Sequence, residues 1–234
     1  MNILAIGCHP DDLEIGCGGT LAKYALRGDK VFMCVVANGN VGHRIIPAEE
    51  LAQIRRNEAL ASGRIIGAEV IMLGTDDLSV RAEDVALKKK IVDVIRFAKP
   101  DIIITHPFDD YMDDHEETAK LVFEASMAAT VNKYITEHDF YPKLTPIFCM
   151  EPAWGVHSLP EDYVDISECI ETKLLMLSQH QSQIKWLKDH DNIDVIENAR
   201  VMSRFRGIQC TTGYAEGFTH VKKFHKLTTE RLLP

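Results

Sequence analysis

The sequence predicts an α/β fold in which a mostly parallel, Rossmann-like sheet is flanked by helices. Short apolar runs typical of buried strands alternate with longer stretches of helical periodicity through the first half of the chain. Parallel strands need long crossover connections, so this alternation favours parallel pairing. The 234 residues, 46% of them hydrophobic, are enough for a single domain spanning 1–234 with a well-buried core.

The individual elements follow from apolar periodicity and from helix-ending residues. The expected strands are 2–8, 31–37, 69–73, 101–105 and 145–150, and the expected helices lie near 18–28, 47–66, 81–98 and 116–130. Beyond residue 150 the pattern is less regular. We expect a helix that begins near Asp165 or Ser167 and ends near His180, followed by a polar helical stretch at 183–206.

The loop after the first strand concentrates polar residues in the run Cys8-His9-Pro10-Asp11-Asp12-Leu13-Glu14. Three interpretations compete. A dinucleotide loop is disfavoured because the following glycines lack the G-x-G-x-x-G spacing and the acids would repel a pyrophosphate. A tight turn with a helix cap explains the glycines and one acid only. In a metal site, His9 and one aspartate would be ligands and the other aspartate would transfer protons. Such a site requires a third ligand from elsewhere in the chain.

A second polar cluster supplies candidates for that third ligand. The buried strand 101–105 runs directly into His106-Pro107-Phe108-Asp109-Asp110-Tyr111-Met112-Asp113-Asp114-His115. Open α/β sheets build their sites at the carboxyl ends of the strands. Two such clusters in one sheet therefore favour the metal site over the other two interpretations.

With these motifs the chain resembles the LmbE/PIG-L family of metal-dependent N-deacetylases, which act on N-acetylglucosamine conjugates. The resemblance covers nearly the whole chain. The motifs that carry it are His9-Pro10-Asp11-Asp12-Leu13-Glu14, Arg55-Arg56-Asn57-Glu58, Asp110-Tyr111-Met112-Asp113-Asp114-His115, His180-Gln181-Ser182-Gln183 and Tyr214-Ala215-Glu216-Gly217-Phe218.

The resemblance implies a role for each matching residue. His9, Asp12 and His115 match the ligands of a catalytic zinc ion, and such a site can also hold iron(II). Asp11 matches the general base that takes a proton from the water the metal activates. Arg55 matches an arginine that holds the substrate or its developing oxyanion.

Two neighbouring positions depart from the family pattern, and Asp113 stands where the family has proline. Met112 stands where the family has a histidine, which stabilises the tetrahedral intermediate or donates a proton to the leaving amine, and methionine can do neither. Asp114 matches the catalytic acid paired with that histidine. His106, Tyr111 or His180 could substitute, or Asp11 could act as both base and acid.

The substrate is expected to be a small N-acetylated sugar conjugate. We expect His106, Asp110 and Arg55 to contact it. The loop 38–47 should line the entrance, where Asn38 and Asn40 suit sugar hydroxyls. Alternative functions are an amidase that cleaves a thiol-sugar conjugate and a catalytically weak, metal-containing sugar-binding protein.

Composition excludes several classes of partner. The formal net charge is −9 and the sole basic run is Lys88-Lys89-Lys90, which disfavours nucleic acids and acidic membranes. No apolar run reaches the ~20 residues of a membrane span, and no signal peptide is evident. A cytoplasmic protein is therefore expected, and a homo-oligomer is compatible with the resemblance.

Overall fold

The computed structural model describes residues 1–156, 158–222 and 232–234 and confirms the α/β class. The described strands are β1 (Asn2–Gly7), β2 (Lys30–Ala37), β3 (Glu69–Thr75), β4 (Ile102–Thr105), β5 (Ile147–Met150), β6 (Asp162–Asp165) and β7 (Ala215–His220). The described helices are α1 (Asp12–Leu26), α2 (Ala48–Ile65), α3 (Val85–Ala98), α4 (Asp113–Ala129), α5 (Ile170–Leu177), α6 (Gln181–Asp191) and α7 (Val195–Cys210).

The strands form one sheet in the order β3-β2-β1-β4-β5-β7-β6. β1 pairs in parallel with both β2 and β4, and β7 pairs antiparallel with β5 and β6. The chain leaves β1 in one direction for β2 and β3, then crosses to the other side of β1 to form β4. The strand order therefore reverses between β1 and β4, which is where open α/β sheets place their ligands.

The side chains of β1 point alternately to the two faces of the sheet, and each face has its own apolar cluster. Ile3 and Ala5 join an apolar cluster that also includes residues of α1, α5 and α7. Leu4 and Ile6 join the opposite cluster, with residues of α3 and α4. Because both faces are covered, the central strands are almost wholly apolar, as parallel strands usually are.

The predicted start of the first helix is wrong. α1 begins at Asp12 rather than near residue 18, so Gly16 and Gly19 lie inside the helix instead of in a turn. Packing explains these glycines: a Cβ at Gly16 would lie 2.5 Å from Met150 Sδ, and one at Gly19 would lie 2.6 Å from Ile166 Cδ1. The helix therefore begins within the polar loop, directly after Asp11.

The second half also differs from the prediction. Residues 163–167 were expected to lead into a helix, but residues 162–165 form β6 because they pair with β7. The helical stretch 183–206 is two helices, α6 and α7, separated at Asn192, which has a left-handed φ of 55°. Local periodicity could not predict either feature, since one depends on a distant strand and the other on a single backbone angle.

A buried ion pair fastens α1 to β7 and α5. Lys173 Nζ lies 2.6 Å from Glu216 Oε1, and both side chains are buried. Glu216 also accepts hydrogen bonds from the backbone N–H groups of Gly19 and Thr20, while Lys173 donates to the Ile15 carbonyl. The acid of the closing sequence motif is thus part of the architecture that holds α1 in place.

Within the described residues, none of the helices combines the length and the apolar character needed to cross a bilayer. The cytoplasmic location and the state of assembly stay predictions.

Replacing Glu216 by alanine should destabilise the fold strongly. The change leaves the Lys173 ammonium buried without its carboxylate, a loss that typically costs about 3–5 kcal/mol. Urea denaturation followed by circular dichroism measures the free energy of unfolding. The matched control is Glu171→Ala, which removes the solvent-exposed partner of Arg200 and should leave the unfolding midpoint unchanged. Equal midpoints for both variants would contradict this assignment.

Candidate metal centre

The polar loops that follow β1 and β4 meet at the point where the strand order reverses. His9 and Asp11 follow β1 directly, and Asp12 is the first residue of α1. His115 lies in the first turn of α4, which begins shortly after β4. Because β1 and β4 are hydrogen-bonded neighbours, these side chains come together although His9 and His115 are 106 positions apart.

Three nitrogen and oxygen atoms at this point form a nearly equilateral triangle. His9 Nδ1 lies 3.2 Å from His115 Nε2 and 3.5 Å from Asp12 Oδ2, and His115 Nε2 lies 3.4 Å from the same oxygen. Ligands bound tetrahedrally at about 2.0–2.1 Å from zinc are separated by roughly 3.3–3.4 Å. The three residues implied by the resemblance therefore fit a zinc ion with a position left open.

His106 is a competing donor that the geometry disfavours. Ligand atoms of Asp12, His106 and His115 also lie within 4.8 Å of one another. However, His106 Nε2 accepts a hydrogen bond of 2.9 Å from the Cys8 backbone N–H, which uses the lone pair that a metal would need. The His106 ring stacks on the His115 ring at 4.1 Å between centroids, so it fixes the orientation of that ligand.

Each of the two histidine ligands has a carboxylate behind it. His115 Nδ1 lies 3.1 Å from Asp110 Oδ1, and His9 Nε2 lies 3.4 Å from Asp114 Oδ2. In zinc sites such a carboxylate fixes the tautomer and the rotation of the imidazole. Asp110 and Asp114 are therefore both positioned to orient ligands, and the side chains of both are almost completely buried.

The carboxylates and imidazoles in and around the triangle shift one another's pKa values. Burial alone would raise the pKa of Asp12, but the neighbouring His115 and His106 hold it well below its usual range. Burial opposes protonation of His9, yet hydrogen bonds with Asp114 and Asp12 raise the pKa of that imidazole well above its ordinary value. The cluster therefore places a dense set of carboxylates around imidazoles, an environment that attracts a cation.

Asp11 is held beside the triangle in a strained conformation. Its φ is 109°, in the left-handed region that favours glycine. Its Oδ2 lies 3.3 Å from Arg55 Nη2. Burial raises the pKa of the Asp11 carboxyl to about 6, although the positive charge of Arg55 opposes the shift. A carboxyl that titrates near neutral pH suits a general base.

Arg55 is buried beneath the loop that follows β2. Its Nη2 donates to the Pro10 carbonyl at 2.5 Å, and its Nη1 lies 3.5 Å from the Gly39 carbonyl oxygen. Gly39 has a φ of 77°, and a Cβ there would overlap the Arg55 side chain. The helix that carries Arg55 therefore places a guanidinium against Asp11 instead of exposing it to solvent, the commoner situation for an arginine on a helix.

The loop after β2 is tied to the loop after β3, a contact that sequence reasoning missed. Asp77 accepts hydrogen bonds from the backbone N–H groups of Gly39 at 2.7 Å and Val41 at 3.4 Å. Asn38 and Asn40 both donate to Asp76, at 2.8 and 2.9 Å. The amides expected to meet sugar hydroxyls are used inside the protein. In the sequence, the signal for this contact was the pair of aspartates, Asp76 and Asp77, directly after the third strand.

A second buried network joins α1, α2 and the start of α6. His180 Nε2 lies 3.3 Å from Glu14 Oε1, which also accepts a hydrogen bond of 2.5 Å from Ser62 Oγ. Nearby, Glu58 accepts from both the N–H and the hydroxyl of Ser182, each at 2.7 Å. Two motifs of the resemblance thus interlock, and His180 is completely buried behind Asp11 rather than exposed in the cleft.

Tyr111, which precedes Met112, lies beside one of the candidate ligands. Met112 caps the amino end of α4, where its carbonyl accepts the backbone N–H groups of His115 and Glu116. The Tyr111 ring packs edge-on against His115 at 5.4 Å between centroids. The side chain as a whole is more than half exposed. Partial desolvation of the phenol by the surrounding protein, together with the charges of nearby acids, chiefly Asp12, raises its pKa.

Comparisons with known proteins agree with this geometry. Residues 4–126 match the family model described as PIG-L, GlcNAc-PI de-N-acetylase. The diacetylchitobiose deacetylase of Thermococcus kodakarensis is 30% identical over 190 residues, which are 77% of this chain and 69% of that protein. The 4-oxalmesaconate hydratase of Pseudomonas putida is 24% identical over 184 residues, covering 73% and 69% of the two chains.

A solved structure supports the fold. The crystal structure of the 4-carboxy-2-hydroxymuconate hydratase of Pseudomonas putida superposes with a TM-score of 0.83 over 98% of this chain and 99% of that chain, at 22% identity. The family match spans more than half of the 234 residues and includes His9, Asp11, Asp12, Arg55 and His115. The chain therefore belongs to the PIG-L/LmbE family of deacetylases.

Proposed function

We propose that the protein is a zinc-dependent N-deacetylase that hydrolyses the acetamide of a small N-acetylglucosamine conjugate. The observation that carries this proposal is the triangle of His9, Asp12 and His115 ligand atoms with the Asp11 carboxylate beside it. A zinc ion bound by these residues supplies a Lewis acid for the amide carbonyl and lowers the pKa of water towards ~7.

The protein's own groups divide the remaining work. Asp11 accepts the proton of the attacking water, because its raised pKa of about 6 matches that task near neutral pH. Arg55 holds Asp11 in its strained conformation and offsets its negative charge. Asp114 and Asp110 orient His9 and His115, while His106 supports His115 by stacking. Direct contacts of Arg55, His106 and Asp110 with the substrate stay predictions.

Tyr111 takes the place of the histidine that Met112 replaces. The departing amine and the oxyanion of the tetrahedral intermediate both need a hydrogen-bond donor. Tyr111 is the neighbour of Met112, its ring contacts His115, and a phenol, whose ordinary pKa is about 10, is protonated at neutral pH. A phenol at this position can donate a hydrogen bond to the substrate without carrying a positive charge.

The hydratase relative favours a second candidate function. Addition of water to a carbon–carbon double bond conjugated to a carbonyl uses a base for the water but releases no amine, so it does not require the histidine missing at Met112. The cluster nevertheless disfavours a polyanionic acid as substrate, because Asp11, Asp12, Asp110 and Asp114 surround it and the nearby Arg55 is already engaged. We therefore rank hydration second.

Metal binding is the first property to test. The purified protein should bind one zinc ion per chain by isothermal titration and elemental analysis. His115→Ala removes a ligand and should abolish stoichiometric binding, and Asp110→Asn should weaken affinity about 10- to 100-fold because it frees the His115 ring. His138→Ala is the control, since His138 belongs to a separate surface cluster with Asp93 and Glu137. Unchanged zinc affinity in His115→Ala would refute the site.

Hydrolysis is tested by release of free amine from a panel of N-acetylglucosamine conjugates. Asp11→Asn should lower kcat by about 10²–10⁴-fold while zinc content is kept, because a positioned base contributes on that order. Asp113→Asn is the matched control, since this neighbouring aspartate is exposed to solvent and should leave kcat unchanged. Equal rates for the Asp11 variant and the wild type would exclude Asp11 as the base.

The products of the same reactions separate the alternatives. Acetate identifies a deacetylase, whereas a larger acid identifies an amidase acting on a thiol-sugar conjugate. Consumption of 4-oxalmesaconate without amine release would identify a hydratase. Stoichiometric zinc with tight sugar binding but no product would identify a sugar-binding protein.

The donor role of Tyr111 has its own test. Tyr111→Phe removes the hydroxyl while keeping the ring, and we expect kcat to fall about 10²-fold, as when one oxyanion donor is lost elsewhere. Met112→Leu, which keeps an apolar side chain at the position of the family histidine, should be neutral. Amine-release kinetics measure both. A Tyr111→Phe variant with wild-type kcat would show that another group donates.

A further inference from the structure

Large apolar side chains are exposed near the metal centre, on the loops that leave the carboxyl ends of β2, β3 and β4. These residues form what we call the apolar rim: Val41 (53% exposed), Ile45 (82%), Leu78 (63%) and Tyr111 (58%). Single exposed apolar residues are normal on protein surfaces, but several at one edge of a cleft indicate a binding surface.

The apolar rim is connected to the site by short contacts. The Leu78 backbone N–H donates to Asp114 Oδ2 at 2.6 Å, and Asp114 in turn faces His9. The Tyr111 ring contacts His115. The Val41 N–H donates to Asp77, whose Oδ1 lies 4.0 Å from His9 Nε2. The backbones of Leu78 and Val41 and the ring of Tyr111 therefore lie within one or two residue contacts of the proposed ligands His9 and His115.

One member of the rim is also held in an unfavourable backbone conformation. Leu78 has a φ of 61°, in the left-handed region where glycine or asparagine is preferred. Its side chain gains little by burial in the free protein, since it is well exposed. Strain of this kind clusters at functional sites, and here it presents an apolar side chain on a loop whose backbone contacts Asp114.

The two asparagines of the entrance loop are already engaged within the protein. The Asn38 and Asn40 amides donate to Asp76, and Asp77 accepts the Gly39 N–H. These amides are therefore not free to bind a second sugar or a polyol. Carboxylates and imidazoles dominate at the metal centre, whereas Val41, Ile45 and Leu78 expose apolar side chains on the loops beside it.

We propose that the group attached to the N-acetylglucosamine is apolar, an alkyl or aryl aglycone that packs on Val41, Ile45 and Leu78 while the acetamide reaches the metal centre. This assignment rests on the proposed function, because it names the substrate class of the same site. The polar interior holds the sugar, and the apolar rim selects its conjugate.

The test compares methyl, butyl and hexyl glycosides of N-acetylglucosamine as substrates of the zinc-loaded protein. The value of kcat/KM should rise with chain length, by up to about fourfold for each methylene that becomes buried, and mainly through KM. An inositol conjugate should be no better than the methyl glycoside. A flat series would overturn the proposal.

Variants locate the effect. Leu78→Asn removes the apolar side chain and tolerates the positive φ, so the fold should be kept. The ratio of kcat/KM for the hexyl and methyl glycosides should fall at least threefold in Leu78→Asn and in Ile45→Ser. Leu26→Ser is the control, because Leu26 is 74% exposed at the far end of α1. Its ratio should equal that of the wild type, and a ratio unaffected by the rim variants would contradict the proposal.

Binding separates this inference from the proposed function. Isothermal titration of the same glycosides into the zinc-loaded protein measures chain-length dependence without turnover. Stronger binding of the hexyl glycoside without amine release would refute deacetylation and keep the apolar subsite. Amine release with no effect of chain length on binding or KM would support deacetylation and refute the apolar subsite. Sedimentation of the wild type as a dimer that Leu78→Asn dissociates would show that a second copy covers the rim, which also overturns the proposal.

Discussion

The site depends on one buried carboxylate, Asp12, which lies among three imidazoles. A buried carboxylate is costly unless positive or hydrogen-bonding groups surround it. The His9 backbone N–H donates to Asp12 Oδ2 at 2.6 Å, and nitrogen atoms of the His9 and His115 rings lie 3.5 and 3.4 Å from the same oxygen. His9 and His115 reach Asp12 from two different loops, so the cluster can form only where β1 and β4 are adjacent. The reversal of strand order between these strands is therefore the feature of the fold on which the cluster depends.

The surrounding structure satisfies the polar groups that this cluster brings into the interior. Asp110 and Asp114 lie behind the two ligand histidines, and Arg55 lies against Asp11. The loops are tied in the same way, since Asp77 accepts the Gly39 N–H beside Arg55. Buried polar groups need partners, so each ligand draws in a second layer of residues. That layer, rather than the substrate, uses the side chains of Asn38 and Asn40.

The sequence allowed prediction of the sheet, most elements of the first half and the two loops that meet. Apolar strands and strand-end polar clusters are local patterns, and His9, Asp12 and His115 do come together. The start of α1 was wrong because its glycines reflect contacts with Met150 and Ile166, which are distant in the sequence. β6 was missed because its partner follows it by some fifty residues. The roles of Asp77 and Glu216 depend on similar long-range contacts.

Chemistry and specificity are carried by different parts of this fold. The proposed base and metal ligands lie at the ends of strands and in the first turns of helices, which the sheet holds rigidly. Leu78 and Tyr111 sit on loops that can change without disturbing the sheet. The chain is similar in sequence both to a diacetylchitobiose deacetylase and to a 4-oxalmesaconate hydratase. A base beside a cation site can direct water at either an amide or a double bond. We therefore attribute the choice between the reactions to the donor next to the ligands and to the lining of the entrance, for which we propose Tyr111 and the apolar rim.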